Sequence, residues 1–377
     1  MALLSDAALI DRIFEHIDNR STDAGDTVWR EPTENYRSEA RFRQELEVLR
    51  RVPTPFCPSA ALPEAGSFVA RDAAGVPILV VRGEDGVVRG FRNACRHRGM
   101  QVARGEGCKK TFVCPYHAWA YGTDGKLKHV PGEDGFPGLD KADHGLVPLT
   151  AVEERGGLVF VTQDAPLSNG PLDGMPNLLG ADDVVFNVIE FVDPANWKLI
   201  GETSMEGYHI RALHNKSFYP YGFDNLNVVE LYERNSRIVF PFRRIEKLRD
   251  KPRETWRLNG MVTDTYQLFA NTHISRLSNH SILVILDPIS PTETRWIVYQ
   301  VMSRPADGST IDVEQARRDA AFVQDTGLLE DRDAACSIQK SLATNANEHF
   351  VFGQYEQAIG HFHKHLSAHV EMLNGVG

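Results

Sequence analysis

Two short stretches decide how this chain is read. They are Cys95-Arg96-His97-Arg98-Gly99 and Cys114-Pro115-Tyr116-His117-Ala118-Trp119, with a gap of sixteen residues between His97 and Cys114. Each places one thiol and one imidazole on a short loop. Facing each other, the loops offer two sulfurs and two nitrogens. A 2Fe-2S cluster with Cys on one iron and His on the other needs that donor set, and neutral imidazoles in place of two thiolates raise its potential. Zinc is the alternative for two Cys and two His. Zinc motifs usually pair Cys with Cys and then His with His, whereas each loop here carries one of each. Gly99, Gly105, Gly107 and Gly122 give the loops freedom to wrap a cluster, and Pro115 stiffens the second. Backbone N–H groups there could donate to the sulfurs.

The remaining cysteines fit no such pattern. Cys57 and Cys108 lack a His at metal-like spacing and read as small buried or loop residues, and Cys336 reads as core. Five sparse cysteines in a chain without a signal sequence do not make a disulfide framework.

Around the two loops the pattern is β. From 66 to 165, Val76, Ile78 and Val80 alternate with apolar neighbours, as in a strand buried on both sides. Gly83-Glu84-Asp85-Gly86 and Thr123-Asp124-Gly125-Lys126 are hairpin turns, and Leu158-Val159-Phe160-Val161 is a closing strand. A Pro-, Gly-, Asn- and Asp-rich segment over 165–183 marks a domain boundary. Beyond it the chain is mixed. Ile282-Leu283-Val284-Ile285-Leu286 and Trp296-Ile297-Val298-Tyr299 read as antiparallel strands, and helices are expected over 313–342 and 348–373. Leu3, Leu9, Ile13 and Ile17 predict an amphipathic helix at the start. The domain reading is a helical segment over 1–40, a cluster-binding domain over 41–165 and a catalytic domain over 166–377.

Composition narrows the function. The 377 residues are 42% hydrophobic and 24% charged, and the formal charge is −10. A sizeable core can form. The acidic balance, without a Lys/Arg run, argues against nucleic acid, whose binding rests on neutralising phosphates. The first 30 residues mix Asp, Arg and Glu into the apolar pattern, unlike a signal peptide or a membrane span. The expectation is a cytoplasmic enzyme with neither nucleic acid nor membrane as partner.

A second constellation lies about a hundred residues downstream. His209 and His214 are separated by four residues. With a carboxylate they would form the facial triad that suits ferrous iron and leaves positions open for oxygen. On a straight helix they would point about 140° apart, at about 100° per residue. A bulge, kink or helix end is therefore expected between them, near 211–213. Glu206, three residues before His209, would share its helix face.

Together these stretches resemble the Rieske non-haem iron oxygenases, catalytic (alpha) subunit, of the ring-hydroxylating and quaternary-amine-demethylating kind. The resemblance rests on C-R-H-R-G at 95–99, C-P-Y-H-A-W at 114–119, N-W-K at 196–198, E-G-Y-H at 206–209 and His214, and extends over about 36–360. It implies an α+β protein: an all-β Rieske domain, and an α+β catalytic domain whose antiparallel sheet is flanked by helices (helix-grip, START-like). Cys95, His97, Cys114 and His117 would hold the 2Fe-2S cluster. His209 and His214 would hold a mononuclear Fe(II). The third ligand is expected at Asp331, because 330–339 resembles the family's E-D-x-x-x-C-x-x-V-Q segment, with Cys336 one place late. Glu330 and Asp333 are neighbours that could be confused with it, and both read as a solvated acidic face. Glu206 would link His117 to His209, and a carboxylate between two imidazole N–H groups holds both. Glu at this position is similar to the demethylases of choline, betaine and carnitine, where ring dioxygenases usually have Asp. Glu202-Thr203-Ser204 departs from the usual E-N-F, and Ala118 stands where Gly is commoner.

The resemblance further implies a homotrimer that brings one chain's cluster beside the next chain's iron. Electrons would come from an NAD(P)H-dependent flavin and iron–sulfur reductase, with or without a ferredoxin, and O2 would be the co-substrate. The small organic substrate would be hydroxylated or oxidatively demethylated. An aromatic-ring cis-dihydroxylating dioxygenase and a Rieske electron carrier are the alternatives. Phe218, Tyr219, Tyr221 and Phe223 could cage an ammonium or stack on an aromatic ring. Arg243, Arg244 and Arg276 could hold a carboxylate. His361, His363 and His365 read as surface residues.

Overall fold

Of the residues whose spacing predicts an opening helix, Leu9 and Ile13 are buried in α1 (Asp6–Asn19) together with Ile10 and Phe14, Ile17 is half-buried, and Leu3 precedes the helix. The structure is a computed structural model and describes residues 3–168, 172–180, 182–278, 280–303, 313–323 and 329–375. The chain folds into two units, residues 49–184 and residues 1–48 with 185–377. The boundaries read from the sequence, at 40/41 and 165/166, lie elsewhere. A second helix, α2 (Glu39–Arg51), runs through the first of them. The second precedes a Pro- and Gly-rich segment, and the next strand, Val184–Asp193, follows it.

Residues 49–184 are built from strands and short turns. A four-stranded antiparallel sheet runs Val88–Arg92, Val76–Arg82, Ser67–Ala73, Gly105–Cys108. A three-stranded sheet runs Ala151–Arg155, Leu158–Thr162, Thr54–Pro58, and another Thr111–Val113, Ala120–Gly122, Leu127–His129. Ile78, Leu79, Val80 and Val81 are all fully buried, which explains the unbroken apolar run. Gly86 and Gly125 sit at φ +78° and +79°, conformations that only glycine adopts without strain, in the two hairpins read from the sequence. Phe68, Leu79, Phe112, Trp119 and Tyr121 form the centre of the core. Cys57 is buried in Thr54–Pro58, where burial pushes its thiol up to about 12, whereas Cys108 is exposed.

The other unit is organised by a seven-stranded sheet in the order Val184–Asp193, Glu293–Met302, Ser281–Ser290, Thr272–Arg276, Val262–Leu268, Asn235–Pro241, Val228–Tyr232. Its pairings from Val228–Tyr232 to Glu293–Met302 are antiparallel. Two short helices follow the first strand, α3 (Trp197–Glu202) and α4 (Ile210–Leu213). After the sheet come α5 (Val313–Val323), α6 (Leu329–Ser341) and α7 (Gln357–Leu373). Helix α3 packs between α6 and the strand Ser281–Ser290, and α7 covers Val228–Tyr232 and Asn235–Pro241. The helix expected over 313–342 includes residues 324–328, which lie outside the described residues. The helix expected from 348 begins later. His349–Phe352 is a strand paired with Trp29–Pro32, a long-range partner that local periodicity does not reveal. Among the described residues, no helix is long and apolar enough to cross a membrane.

Candidate metal centres

The two Cys/His loops are built alike. In one, Cys95 N–H donates to Met100 O (2.8 Å) and Gly99 N–H to Cys95 O (2.8 Å). In the other, Cys114 N–H donates to Trp119 O (2.8 Å) and Ala118 N–H to Cys114 O (3.0 Å). The residue four places after each Cys therefore occupies the same point of the turn, and both are left-handed: Gly99 at φ +81° and Ala118 at φ +59°. Each loop buries its Cys and turns its His inward. The Nδ1 atoms of His97 and His117 face each other at 3.1 Å. Trp119 stacks on His97 (centroids 5.0 Å, 10° between planes), and Phe136 meets the same ring edge-on. Burial, His97 and Arg98 all lower the pKa of His117, which favours the neutral form that a metal ligand needs.

A single zinc ion does not fit these four donors. In a zinc tetrahedron any three would lie within about 4 Å of one another. Among the described residues, the one group of three such donor atoms within 4.8 Å of one another is elsewhere, at His209, His214 and Asp331. Two inward Nδ1 atoms for one iron and two buried thiols for another fit a 2Fe-2S cluster. Tyr121, which sequence reasoning missed, adds a hydroxyl 3.2 Å from Cys95 Sγ, and that hydroxyl also accepts from Arg96 N–H at 2.9 Å.

The second cluster forms entirely within the sheet-and-helix unit. Helix α4 is a single turn, and His209 and His214 stand at its two ends rather than on one face. That is the break expected between them. Their Nε2 atoms are 3.2 Å apart. Asp331, in the first turn of α6, places Oδ1 3.4 Å from His209 Nε2 and 3.1 Å from His214 Nε2. That oxygen is buried and aligned with neither ring for a hydrogen bond. A triangle with such edges leaves a point about 2.1 Å from all three atoms, the length of a metal–imidazole bond. The electrostatics agree. Burial pushes His209 down, but Asp331 and Glu206 outweigh it and raise it to about 10, and Asp331 is lowered in return despite its burial. The arrangement demands positive charge at its centre. Two His and one Asp on one face suit a ferrous ion with open positions.

Glu206 does not lie on a helix face with His209. Helix α3 ends at Glu202, and the carboxylate curls back within the loop. Its Oε1 accepts from His209 Nδ1, and its Oε2 takes the N–H groups of Tyr208 and, at 3.2 Å, His209. Glu330, read as part of a solvated face, keeps a side chain 35% exposed but also reaches the site. Its Oε2 is 2.7 Å from His214 Nδ1. Asp333 is exposed, as read.

The N-W-K motif proves to be a bolt. Asn196 Oδ1 caps α3 by accepting from Lys198 N–H (3.0 Å), and its amide donates to Tyr36 O and Pro291 O. Trp197 Nε1 and Lys198 Nζ donate to the same Glu45 oxygen on α2, at 3.0 and 2.8 Å. Asn196 N–H donates to Gln339 Oε1 (2.9 Å) on α6. The Gln eight residues after Asp331 therefore ties the helix bearing that carboxylate to the helix preceding the histidines. Gly201 lets α3 approach the sheet, since a Cβ there would meet His273 Nε2 at 2.9 Å.

Other readings shift. Tyr219 has Arg211 and Arg243 over its ring, and Phe223 has Arg243, so both aromatics already meet cations of this chain. Phe218 packs on His214 at 5.0 Å. Arg276 pairs with Asp264, and Arg244 donates to Ser278. His363 is not a surface residue. It is fully buried, 2.8 Å from Glu202 and 3.1 Å from the Tyr36 hydroxyl.

Comparison with known proteins agrees with this geometry. Residues 52–142 match the Rieske [2Fe-2S] domain, and residues 188–372 match the catalytic domain of the ring hydroxylating alpha subunit. The chain belongs to the Rieske oxygenase alpha-subunit family. It is 36% identical over 198 residues to the carnitine monooxygenase oxygenase subunit of Escherichia coli (50% of this chain, 52% of that one). It is 38% identical over 183 residues to the biphenyl 2,3-dioxygenase alpha subunit of Rhodococcus jostii (44% and 39%). The chain thus spans about half the length, or less, of these two relatives. A quaternary ammonium Rieske monooxygenase crystallised with L-carnitine shares the fold at TM-score 0.76 and 20% identity, covering 98% of this chain and 99% of that one.

Proposed function

We propose that this chain is the terminal oxygenase of a Rieske system and that it hydroxylates or oxidatively demethylates a small quaternary amine. One observation carries the oxygenase reading: two imidazole nitrogens and one carboxylate oxygen converge at 3.1–3.4 Å. An electron carrier would have no use for that second site. Cys95, His97, Cys114 and His117 would hold the cluster, and His209, His214 and Asp331 the iron. When bound, the cluster supplies single electrons and the ferrous ion supplies the site at which dioxygen is reduced. With both Nε2 atoms turned to the metal point, each ring keeps its proton on Nδ1, and Glu206 Oε1 accepts the hydrogen bond from His209 Nδ1–H. This fixes the tautomer and leaves Glu206 as the bridge towards a cluster histidine of a neighbouring subunit.

A homotrimer, with an NAD(P)H-dependent flavin and iron–sulfur reductase, directly or through a ferredoxin, completes the proposal. The cytoplasm suits five unpaired cysteines. For the substrate class, support comes from Glu rather than Asp at position 206 and from the similarity to carnitine and glycine betaine monooxygenase subunits. The biphenyl dioxygenase relative favours a second reading, cis-dihydroxylation of an aromatic ring. The test is a panel of carnitine, glycine betaine, choline, biphenyl and naphthalene with a surrogate reductase and NADH. Formaldehyde release matched to oxygen uptake with a quaternary amine is expected. A cis-diol from an arene, with no formaldehyde from any amine, would replace the first reading with the second.

A further inference from the structure

Both nitrogens of His214 are faced by the carboxylates of consecutive residues. Asp331 Oδ1 lies 3.1 Å from Nε2, and Glu330 Oε2 lies 2.7 Å from Nδ1. Successive helical residues point about 100° apart, so the first turn of α6 can place one carboxylate on each edge of a single imidazole. The ring is 2% exposed and has little access to water. A third group fixes the outer carboxylate. Ser217 Oγ donates to the same Glu330 oxygen at 2.5 Å, and Ser217 N–H donates to His214 O at 3.2 Å. Ser217 is itself 6% exposed. The arrangement mirrors His209, whose Nδ1 is met by Glu206.

We propose that Glu330, held by Ser217, is a positioning residue that fixes the tautomer and orientation of His214 for the metal. The inference rests on the iron-site reading above and deepens it. Glu330 Oε2 meets both His214 Nδ1 and Ser217 Oγ within its own unit. The bland alternative is an acid that merely complements the positive N-terminus of α6.

The experiment is anaerobic ferrous-iron titration of the cluster-loaded full chain, with the melting temperature and the Rieske EPR signal recorded alongside. Loss of such a partner typically lowers metal affinity about 10–100-fold, and that loss is expected for Glu330→Ala, with the Rieske signal unchanged. Glu330→Gln keeps an acceptor oxygen at the same reach and should restore affinity to within about threefold, a small fraction of the typical loss. Ser217→Ala should fall between them, and Asp333→Ala should bind as the unaltered chain does. Rescue by Gln is what a dipole role would not give, since Gln carries no charge. Equal iron affinity in Glu330→Ala and the unaltered chain would overturn the proposal, as would Gln binding no better than Ala. If the unaltered chain takes no ferrous ion beyond its cluster, the iron-site reading itself fails, an outcome distinct from either of these.

Discussion

A single hydroxyl illustrates how much rests on individual residues. Tyr121 lies 3.2 Å from Cys95 Sγ and is itself fully buried. Hydrogen bonds to ligand sulfurs help set the potential of an iron–sulfur cluster. A hydrogen bond is worth about 1 kcal/mol, and a one-electron couple moves about 59 mV per tenfold change in its equilibrium constant. Tyr121→Phe should therefore lower the cluster potential by about 40 mV, measured by redox titration of the Rieske EPR signal. An unchanged potential would show that the hydroxyl serves only Arg96 N–H.

The four candidate cluster ligands were legible because their loop spacing singles them out. Tyr121 was not, since a strand tyrosine carries no sign of which sulfur it meets. His363 was misread for a geometric reason. Alternate positions on a helix lie about 200° apart, so three alternating histidines cannot share one face, and the middle one turns into the core.

At the scale of elements, two features separate sequence reading from structure. Ala118 occupies the left-handed position that Gly99 fills in the sister loop. A non-glycine residue there costs about 1–2 kcal/mol, offset in part by the greater chain entropy of glycine. Ala118→Gly should stabilise the chain by about 0.5–1 kcal/mol in denaturant unfolding; a destabilised variant would mean that the methyl group contributes packing.

The N-W-K bolt should behave in the opposite way. Glu45 is 1% exposed and meets Trp197, Lys198 and Arg41. Glu45→Ala leaves the fully buried Lys198 ammonium without its carboxylate, a change expected to cost about 3–5 kcal/mol. Iron should be lost on heating before the cluster, because α3 leads directly into the histidine segment. Loss of cluster and iron together would argue against that local role. The motif was visible in the sequence, but its purpose was not. Its partners lie on α2 and α6, about 150 residues away in either direction along the chain.

For the molecule as a whole, the sequence was most informative where chemistry demands rare residue types in short spacings. It was least informative where long-range pairing decides. The β-rich cluster domain, the antiparallel sheet and the residues of both candidate metal sites could be read from the sequence. The pairing of His349–Phe352 with Trp29–Pro32, the loop conformation at Glu206 and the role of Glu330 could not. Each depends on which distant segment arrives at the same place.

The central claim is that one chain carries two distinct iron sites. Its most direct test is iron and acid-labile sulfide per chain after anaerobic purification and ferrous reconstitution, with an EPR spectrum of the reduced protein. About three irons and two sulfides with a Rieske signal are predicted. His209→Ala and Asp331→Ala should fall to about two irons with the signal intact. Two irons and two sulfides in the unaltered chain, unchanged in both variants, would contradict the account and leave an electron carrier.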